Sequence, residues 1–396
     1  MRQRVKRVRL LVLVLLLMLS CVAVGACDSG NGNSSSGETS EQGGTGTTAG
    51  SGGTSSSGSD GSHAAGGNVQ DTSHKKIKIG FSMDTLLEER WLKDRDLFKD
   101  AAEALGAEVV IMAANGDDAK QISQAETMIA QGVDILVIVP HNADATAAIV
   151  QKAHASGIKV LAYDRLVKNS DIDLYVSFDN EQVGELQAKA ITSLVPKGKY
   201  VYIGGADTDN NAHLFKKGVF NVLQPLIDKG DITVVYDQWT KDWTPVNALA
   251  NMKDALSANG NNIDAVIAAN DATAGGVVQA LQLQGLAGKI PVAGQDADLA
   301  AAQRIVEGTQ VMTVYKPIKL LADKAAELAM RLALGEPSGA DRKVNNGKIE
   351  VPSVLLSPIA VNKFNIDETI IADNFHSHAD VYKNVKEQTE VDGIQS

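Results

Sequence analysis

Cysteine is almost absent. Of 396 residues only Cys21 and Cys27 carry a thiol, and both lie near the N-terminus. The stretch that must form any folded body therefore has no disulfide framework and no thiolate metal site. Positive charge is also scarce: 37 Lys and Arg stand against 48 Asp and Glu, a formal net charge of -11. Five of those bases (Arg2, Arg4, Lys6, Arg7, Arg9) fall in the first nine positions, which hold no acid, and taking them from -11 leaves -16 for everything downstream. So acidic a body lacks the field for gripping phosphate backbones, and nucleic acid is not an expected partner. No Walker loop is present and no GxGxxG follows the first β-rich run, so nothing predicts a cradle for nucleotide phosphates. The seven histidines are scattered, with His376 and His378 paired only in a polar C-terminal stretch. A faint calcium-loop pattern begins at Asp207, but Ala212 stands where that loop needs glycine and Gly218 where it needs its closing acid. Neither a metal nor a cofactor is expected. A nucleophile beside its base is not recognisable either, and no catalytic residue is predicted.

The N-terminus has what the rest lacks. Residues 1–26 read as a basic run followed by an apolar stretch, the pattern of an export signal rather than of a folded element. The run from Leu10 is close to membrane-spanning length, yet Val24-Gly25-Ala26-Cys27 has the small residues of a bacterial lipobox, with Cys27 as the lipidated residue. Residues 27–74 then follow as a Gly/Ser/Thr tether, too poor in apolar surface to offset its ordering entropy. The expected location is the extracytoplasmic face of the cell membrane, reached through the Cys27 lipid.

From Lys75 onward short β-rich runs alternate with longer amphipathic ones. Strands are predicted over 77–83, 108–112, 135–139, 159–163, 200–203, 233–236, 265–268, 291–294 and 311–314. Helices fall over 91–105, 118–131, 143–156, 181–195, 212–226, 246–258, 272–284, 299–307 and 319–334. This rhythm is that of βαβ units, hence an α/β fold with parallel sheets covered on both faces. The glycines Gly106, Gly132, Gly157 and Gly285 suit left-handed helix ends. About 320 residues of it exceed one doubly wound domain and fit two.

Polar residues gather just after several of the strands: Asp164-Arg165, residues 207–211, Asn270-Asp271 and Gln295-Asp296. In open parallel sheets that is where ligands bind. The set Arg90, Asp164, Arg165, Asp209, Asn211, Asn270, Asp296 and Lys316, with Trp91 and Trp243 nearby, suits a polyhydroxyl ligand. Carboxylates accept from hydroxyls, cations donate to them, amides do both, and an indole can cover the apolar face of a sugar ring. For Asp271 a helix-capping role is favoured. Trp91 fits core packing and ligand contact equally well, and Gly204-Gly205 is read as a tight turn.

Seven stretches carry a family resemblance: EERWLKDRDLF, VLAYDRL, YVSFDNEQVGELQAKA, DNNAHLF, NDATAGG, GQDADLAA and TVYKPI. Together, in order from about Lys76 to His376, they resemble the D-xylose-binding proteins of bacterial ABC sugar importers, within the type I periplasmic-binding-protein family. The resemblance implies two doubly wound parallel-sheet lobes joined by a three-segment hinge, with a sugar in the cleft. One lobe would hold 75–180 plus 317–345 and the other 181–316 plus 346–376, leaving 377–396 as a polar tail. By position, Arg90, Asp164 and Arg165 would be contacts from the first lobe. Asp209, Asn211, Trp243, Asn270 and Asp296 would come from the second, and Lys316 from beside a crossing segment. His141 departs from the tyrosine expected there, which touches only rim contacts. The implied protein is a monomeric lipoprotein, not an enzyme, that delivers D-xylose or a related monosaccharide to an ABC permease and its ATPase. A sensor subunit, or a receptor for another pentose or glucose, is the alternative.

Overall fold

The computed structural model describes residues 76–385. The chain divides into a unit Met1–Asp71 and a unit Thr72–Ser396, and every described residue lies in the second. The predicted signal segment, the Cys27 lipidation site and the tether fall outside the described residues.

The first lobe begins with β1 (Lys78–Met83), α1 (Glu89–Ala104), β2 (Glu108–Ala113), α2 (Asp118–Ala130), β3 (Ile135–Ile138), α3 (Ala147–Ala155), β4 (Lys159–Tyr163) and β5 (Leu174–Phe178). The second comprises α4 (Asn180–Leu194), β6 (Gly198–Ile203), α5 (Asn210–Asp228), β7 (Ile232–Gln238), α6 (Pro245–Ala258), β8 (Ala265–Ala268), α7 (Asp271–Leu283), β9 (Val292–Ala293), α8 (Leu299–Glu307) and β10 (Met312–Tyr315). The chain then returns to the first lobe with α9 (Ile318–Ala333), β11 (Arg342–Asn345) and β12 (Glu350–Leu356). It ends in the second with β13 (Ile359–Asn362) and α10 (His378–Tyr382). Among the described residues the first sheet has seven strands, ordered β11-β12-β5-β4-β3-β1-β2, and the second six, ordered β13-β10-β9-β8-β6-β7. Only β11 against β12 and β13 against β10 are antiparallel. Three crossings thus join the lobes, at Asp179, at 316–317 and at 357–358.

Period-two burial explains the layers. Ile135 and Val137 face one side of β3 with Phe98 of α1 and Leu321 of α9, while Leu136 and Ile138 face the other with Met128 of α2 and Ile149 of α3. The second sheet repeats this, Tyr200 and Tyr202 packing toward α4 and α5, Val201 and Ile203 toward α6 and α7. Helices α4 and α5 touch at two glycines: a Cβ on Gly184 would lie 2.0 Å from the Phe215 carbonyl oxygen, and one on Gly218 1.9 Å from that of Glu181. No larger residue fits without parting the pair.

The structure corrects the expectations at the edges. Strands β5, β11, β12 and β13 have no counterpart among the predicted strands. β5 follows β4 after a short loop with no intervening helix, so the alternation gave no cue, and the other three are antiparallel or edge elements. The range 346–376 does not belong wholly to the second lobe, because β12 pairs in parallel with β5 of the first sheet, and the crossing comes after Leu356. Nor is everything after 376 a polar tail: α10 buries Val381 in a cluster with Ala302 and Ile305 of α8, and Asn384 Nδ2 donates to Glu307 at 2.7 Å.

Candidate functional site: a charged cleft between the lobes

All ten predicted residues (Arg90, Trp91, Asp164, Arg165, Asp209, Asn211, Trp243, Asn270, Asp296 and Lys316) line one cleft of about 320 Å³ between the two sheets. They stand at the carboxyl ends of strands or the first turns of the helices that follow. Local backbone geometry aims them. Asp209 and Asn270 are the N-caps of α5 and α7, each accepting a backbone N–H with its side chain: Asp209 from Asn211, Asn270 from Thr273. Asn270, not Asp271, is therefore the cap. Asp271 is the first helical residue, and its buried carboxylate instead accepts from Gln310 and Thr313, both at 2.7 Å. Asp164, Trp243 and Asp296 occupy positive φ (60°, 58° and 98°), a costly conformation for a non-glycine residue, which turns each side chain out of the strand line toward the cleft.

The charges form one buried network that joins the lobes. Arg90 donates to Asp164 at 2.8 Å, to Asp94 at 3.1 Å and, across the cleft, to Asp296 at 3.3 Å. Arg165 pairs with Asp84 at 2.7 Å and reaches across to Asp209 at 2.8 Å. Asn211 Nδ2 donates across to the Asp164 carbonyl at 3.0 Å, and Lys316 pairs with Asp296 at 2.8 Å. Burial opposes ionisation of Asp164, but Arg90, Lys316 and Arg165 outweigh it and hold the carboxyl below its ordinary range. Burial likewise opposes charge on Arg90, and Asp164, Asp94 and Asp296 more than restore it. At Asp209 burial wins against Arg165, and the carboxyl is pushed up.

Trp91 belongs to both the core and the cleft wall. It is 3% exposed and packed in the first lobe's core, yet it lines the cleft, with the Arg90 and Arg165 guanidiniums 4.3 and 5.0 Å from its ring centroid. Trp243 packs edge-on to Phe215. Gly204-Gly205 is more than a turn: a Cβ on Gly205 would sit 2.0 Å from the Trp243 indole and one on Gly204 2.8 Å from that of Trp239. These glycines make room for the rings.

Two lining residues, Glu88 and Phe215, were not singled out from the sequence, and Gln295 was noted only as half of the strand-end pair Gln295-Asp296. Each lies inside a motif already noted, and Phe215 is one helical turn beyond Asn211, a spacing that could have marked it. Burial pushes the Glu88 carboxyl up, chiefly against the pull of Arg165. Glu88 Oε2, Gln295 Oε1 and Trp243 Nε1 are buried without a hydrogen-bond partner among the described residues, so they are groups a ligand can satisfy. His141 lies outside this cleft, paired with Asp84 at 2.9 Å. His376 is buried and hydrogen-bonds the Ala297 carbonyl at 2.7 Å, and no cluster of potential metal ligands occurs among the described residues.

Two α/β lobes, three crossings and a polar, indole-bearing cleft at the strand ends define a two-lobed solute-binding protein. The sequence profile of the periplasmic binding protein domain matches residues 79–337, and the chain belongs to that family. It is 56% identical over 308 residues to the D-xylose-binding periplasmic protein of Haemophilus influenzae, covering 78% of this chain and 93% of that one. It is 55% identical over 307 residues to the protein of the same description from Escherichia coli, with the same coverage, 78% and 93%. Among solved structures, it is similar to a carbohydrate transporter solute-binding protein from Chloroflexus aurantiacus in complex with D-glucose. That match has a TM-score of 0.72 and 30% identity, over 77% of this chain and 98% of that one.

Proposed function

We propose that this protein captures D-xylose between its lobes and hands it, unaltered, to an ABC permease and its ATPase. The carrying observation is the cleft: four polar side chains from the first lobe and six from the second around one cavity, two indoles, and charges compensated by their neighbours. A neutral polyhydroxyl ligand fits such a site, since it brings hydrogen-bonding groups without adding a charge to be buried. The identity to proteins described as D-xylose-binding favours xylose within the class.

Capture rather than turnover is favoured by membership of the periplasmic binding protein family and by Asp164, Asp209 and Asp296 each being engaged by a cation. The ten residues act as sugar contacts, and the sugar adds differential contacts that favour the closed lobes. Outside the cell membrane the protein works as a monomer held by a lipid on Cys27. No helix among the described residues is long and apolar enough to cross a membrane.

Calorimetry of the full chain against D-xylose, L-arabinose, D-ribose and D-glucose tests the reading. D-xylose is expected to bind tightest and to be recovered unchanged after prolonged incubation; preference for a hexose, or conversion of the sugar, overturns it.

A further inference from the structure

Outside the cleft, the lobes meet at a second, smaller group of contacts centred on α1. Helix α8 of the second lobe begins without help from its own N-cap, since Asp298 makes no side-chain capping bond. Its first N–H, that of Leu299, is instead accepted by Glu89 Oε2 of the first lobe at 2.9 Å. A carboxylate at a helix N-terminus satisfies an orphan donor and complements the helix dipole. One turn along α1, Lys93 pairs with Glu89 at 3.1 Å and donates across the seam to the Phe375 carbonyl at 2.9 Å, its ammonium 3.7 Å from the centre of the Phe375 ring. His376 donates Nε2–H to the Ala297 carbonyl at 2.7 Å, which leaves Nδ1 to accept from Lys93 at 3.4 Å. None of Glu89, Lys93, Leu299, Phe375 or His376 lines the cleft.

We infer that Glu89 and Lys93 form a latch in which one lobe caps a helix of the other, and that this latch, without touching the ligand, sets how long the lobes stay shut. Each of its cross-lobe bonds exists only while the lobes are together. The first lobe therefore gives up a solvated carboxylate and ammonium on closing, and the second gains a helix cap it cannot supply itself. Glu89 is held below the usual carboxylate range because the Leu299 N–H and Lys93 outweigh the effect of its burial, so the cap stays charged at neutral pH. The latch deepens the sugar-capture reading by adding affinity-determining residues that act through closure rather than through the sugar.

The test compares the wild-type full chain with Glu89→Ala and Glu89→Gln. Stopped-flow tryptophan emission reads D-xylose release. Glu89→Ala is expected to release sugar roughly tenfold faster, in line with loss of a helix cap, with association and the sugar-free thermal transition close to wild type. Glu89→Gln, which keeps an acceptor oxygen but no charge, should fall between the two, a rescue that a merely structural role would not give. Equal release rates in all three proteins overturn the latch. If Glu89→Ala proves unstable, Glu89→Gln alone decides by the same criterion. If wild type binds none of the sugars offered, the capture reading fails separately. With D-xylose bound, amide exchange over residues 297–302 gives the latch a second readout: faster exchange in Glu89→Ala than in wild type supports it, and identical exchange overturns it.

Discussion

The two walls of the cleft hold their polar groups by different means. In the first lobe, side chains hold side chains: Arg90 rests on Asp94 and Asp164, Arg165 on Asp84 and the Pro140 carbonyl, Asp94 accepts from the Tyr163 hydroxyl at 2.6 Å, and the Asp164 carbonyl accepts from Ser177 at 2.6 Å. In the second lobe the backbone does more of the holding, through the N-cap positions of Asp209 and Asn270 and the positive φ of Trp243 and Asp296, a device that the first lobe uses at Asp164 alone among its cleft residues. The first wall keeps its cations paired whatever the second lobe does. The second wall keeps its shape only while the local chain path is kept. Substitutions in the first should therefore damage folding and binding together, and those in the second should damage binding out of proportion to folding.

The largest effect is expected at Arg90. Arg90→Met leaves Asp94 and Asp164 buried without their main cation and should cost about 3–5 kcal/mol of stability along with sugar binding. Urea unfolding measures it, and a loss below about 1 kcal/mol would erase the distinction between the walls. Next comes Gly205→Ala, whose new Cβ would sit 2.0 Å from the Trp243 ring and must displace it. Affinity should fall by roughly ten- to a hundredfold, the scale of an overpacked contact, with a smaller change in thermal stability than Arg90→Met gives. Calorimetry and a melting curve on the same sample compare the two. Asn270→Ala removes the bond that its side-chain oxygen accepts from the Thr273 N–H and leaves the other half of the capping box, from its own backbone N–H to Thr273 Oγ1. The expected loss is about 1 kcal/mol, plus weaker binding from the missing amide; unchanged titration would take Asn270 out of the site.

The smallest effect is a pH dependence. The hydrogen bond to Asp84 raises the His141 pKa above its ordinary 6.5, against the effect of burial. A histidine raised in the folded state contributes stability that is complete below about pH 6.5 and is lost as pH rises through the folded value. Asp84, whose carboxyl is lowered despite burial, stays ionised throughout that range. Wild type should thus lose stability between pH 6.5 and 8 relative to His141→Gln; parallel stability profiles would show that the pair contributes nothing.

The βαβ rhythm made both sheets legible in the sequence, and strand-end logic together with family resemblance picked out ten residues that surround one cleft. What stayed hidden had physical reasons. β5 carries Tyr175 and Ser177 among its apolar residues and follows β4 without a helix, so neither composition nor alternation marked it. β11, β12 and β13 lie at or near sheet edges, and β12 takes its parallel partner from β5, far back in the sequence, with Ser353 opposite Tyr175. Glu88 lies two positions before Arg90 and Gln295 was noted only beside Asp296, and the weight of both depends on burial, which only packing reveals.

The return of the chain through α9, β11 and β12 has a consequence for how the molecule is made. Helix α9 covers one face of the first sheet and β12 extends it, while β13 borders the second. Neither half is finished by its own contiguous stretch of sequence, and both wait for residues beyond Ile318. As synthesis proceeds from the N-terminus, two apolar cores stay incomplete until almost the last strand is supplied. A stop before Ile318 would leave two defective halves rather than one intact half, so up to that point the lobes share a single fate.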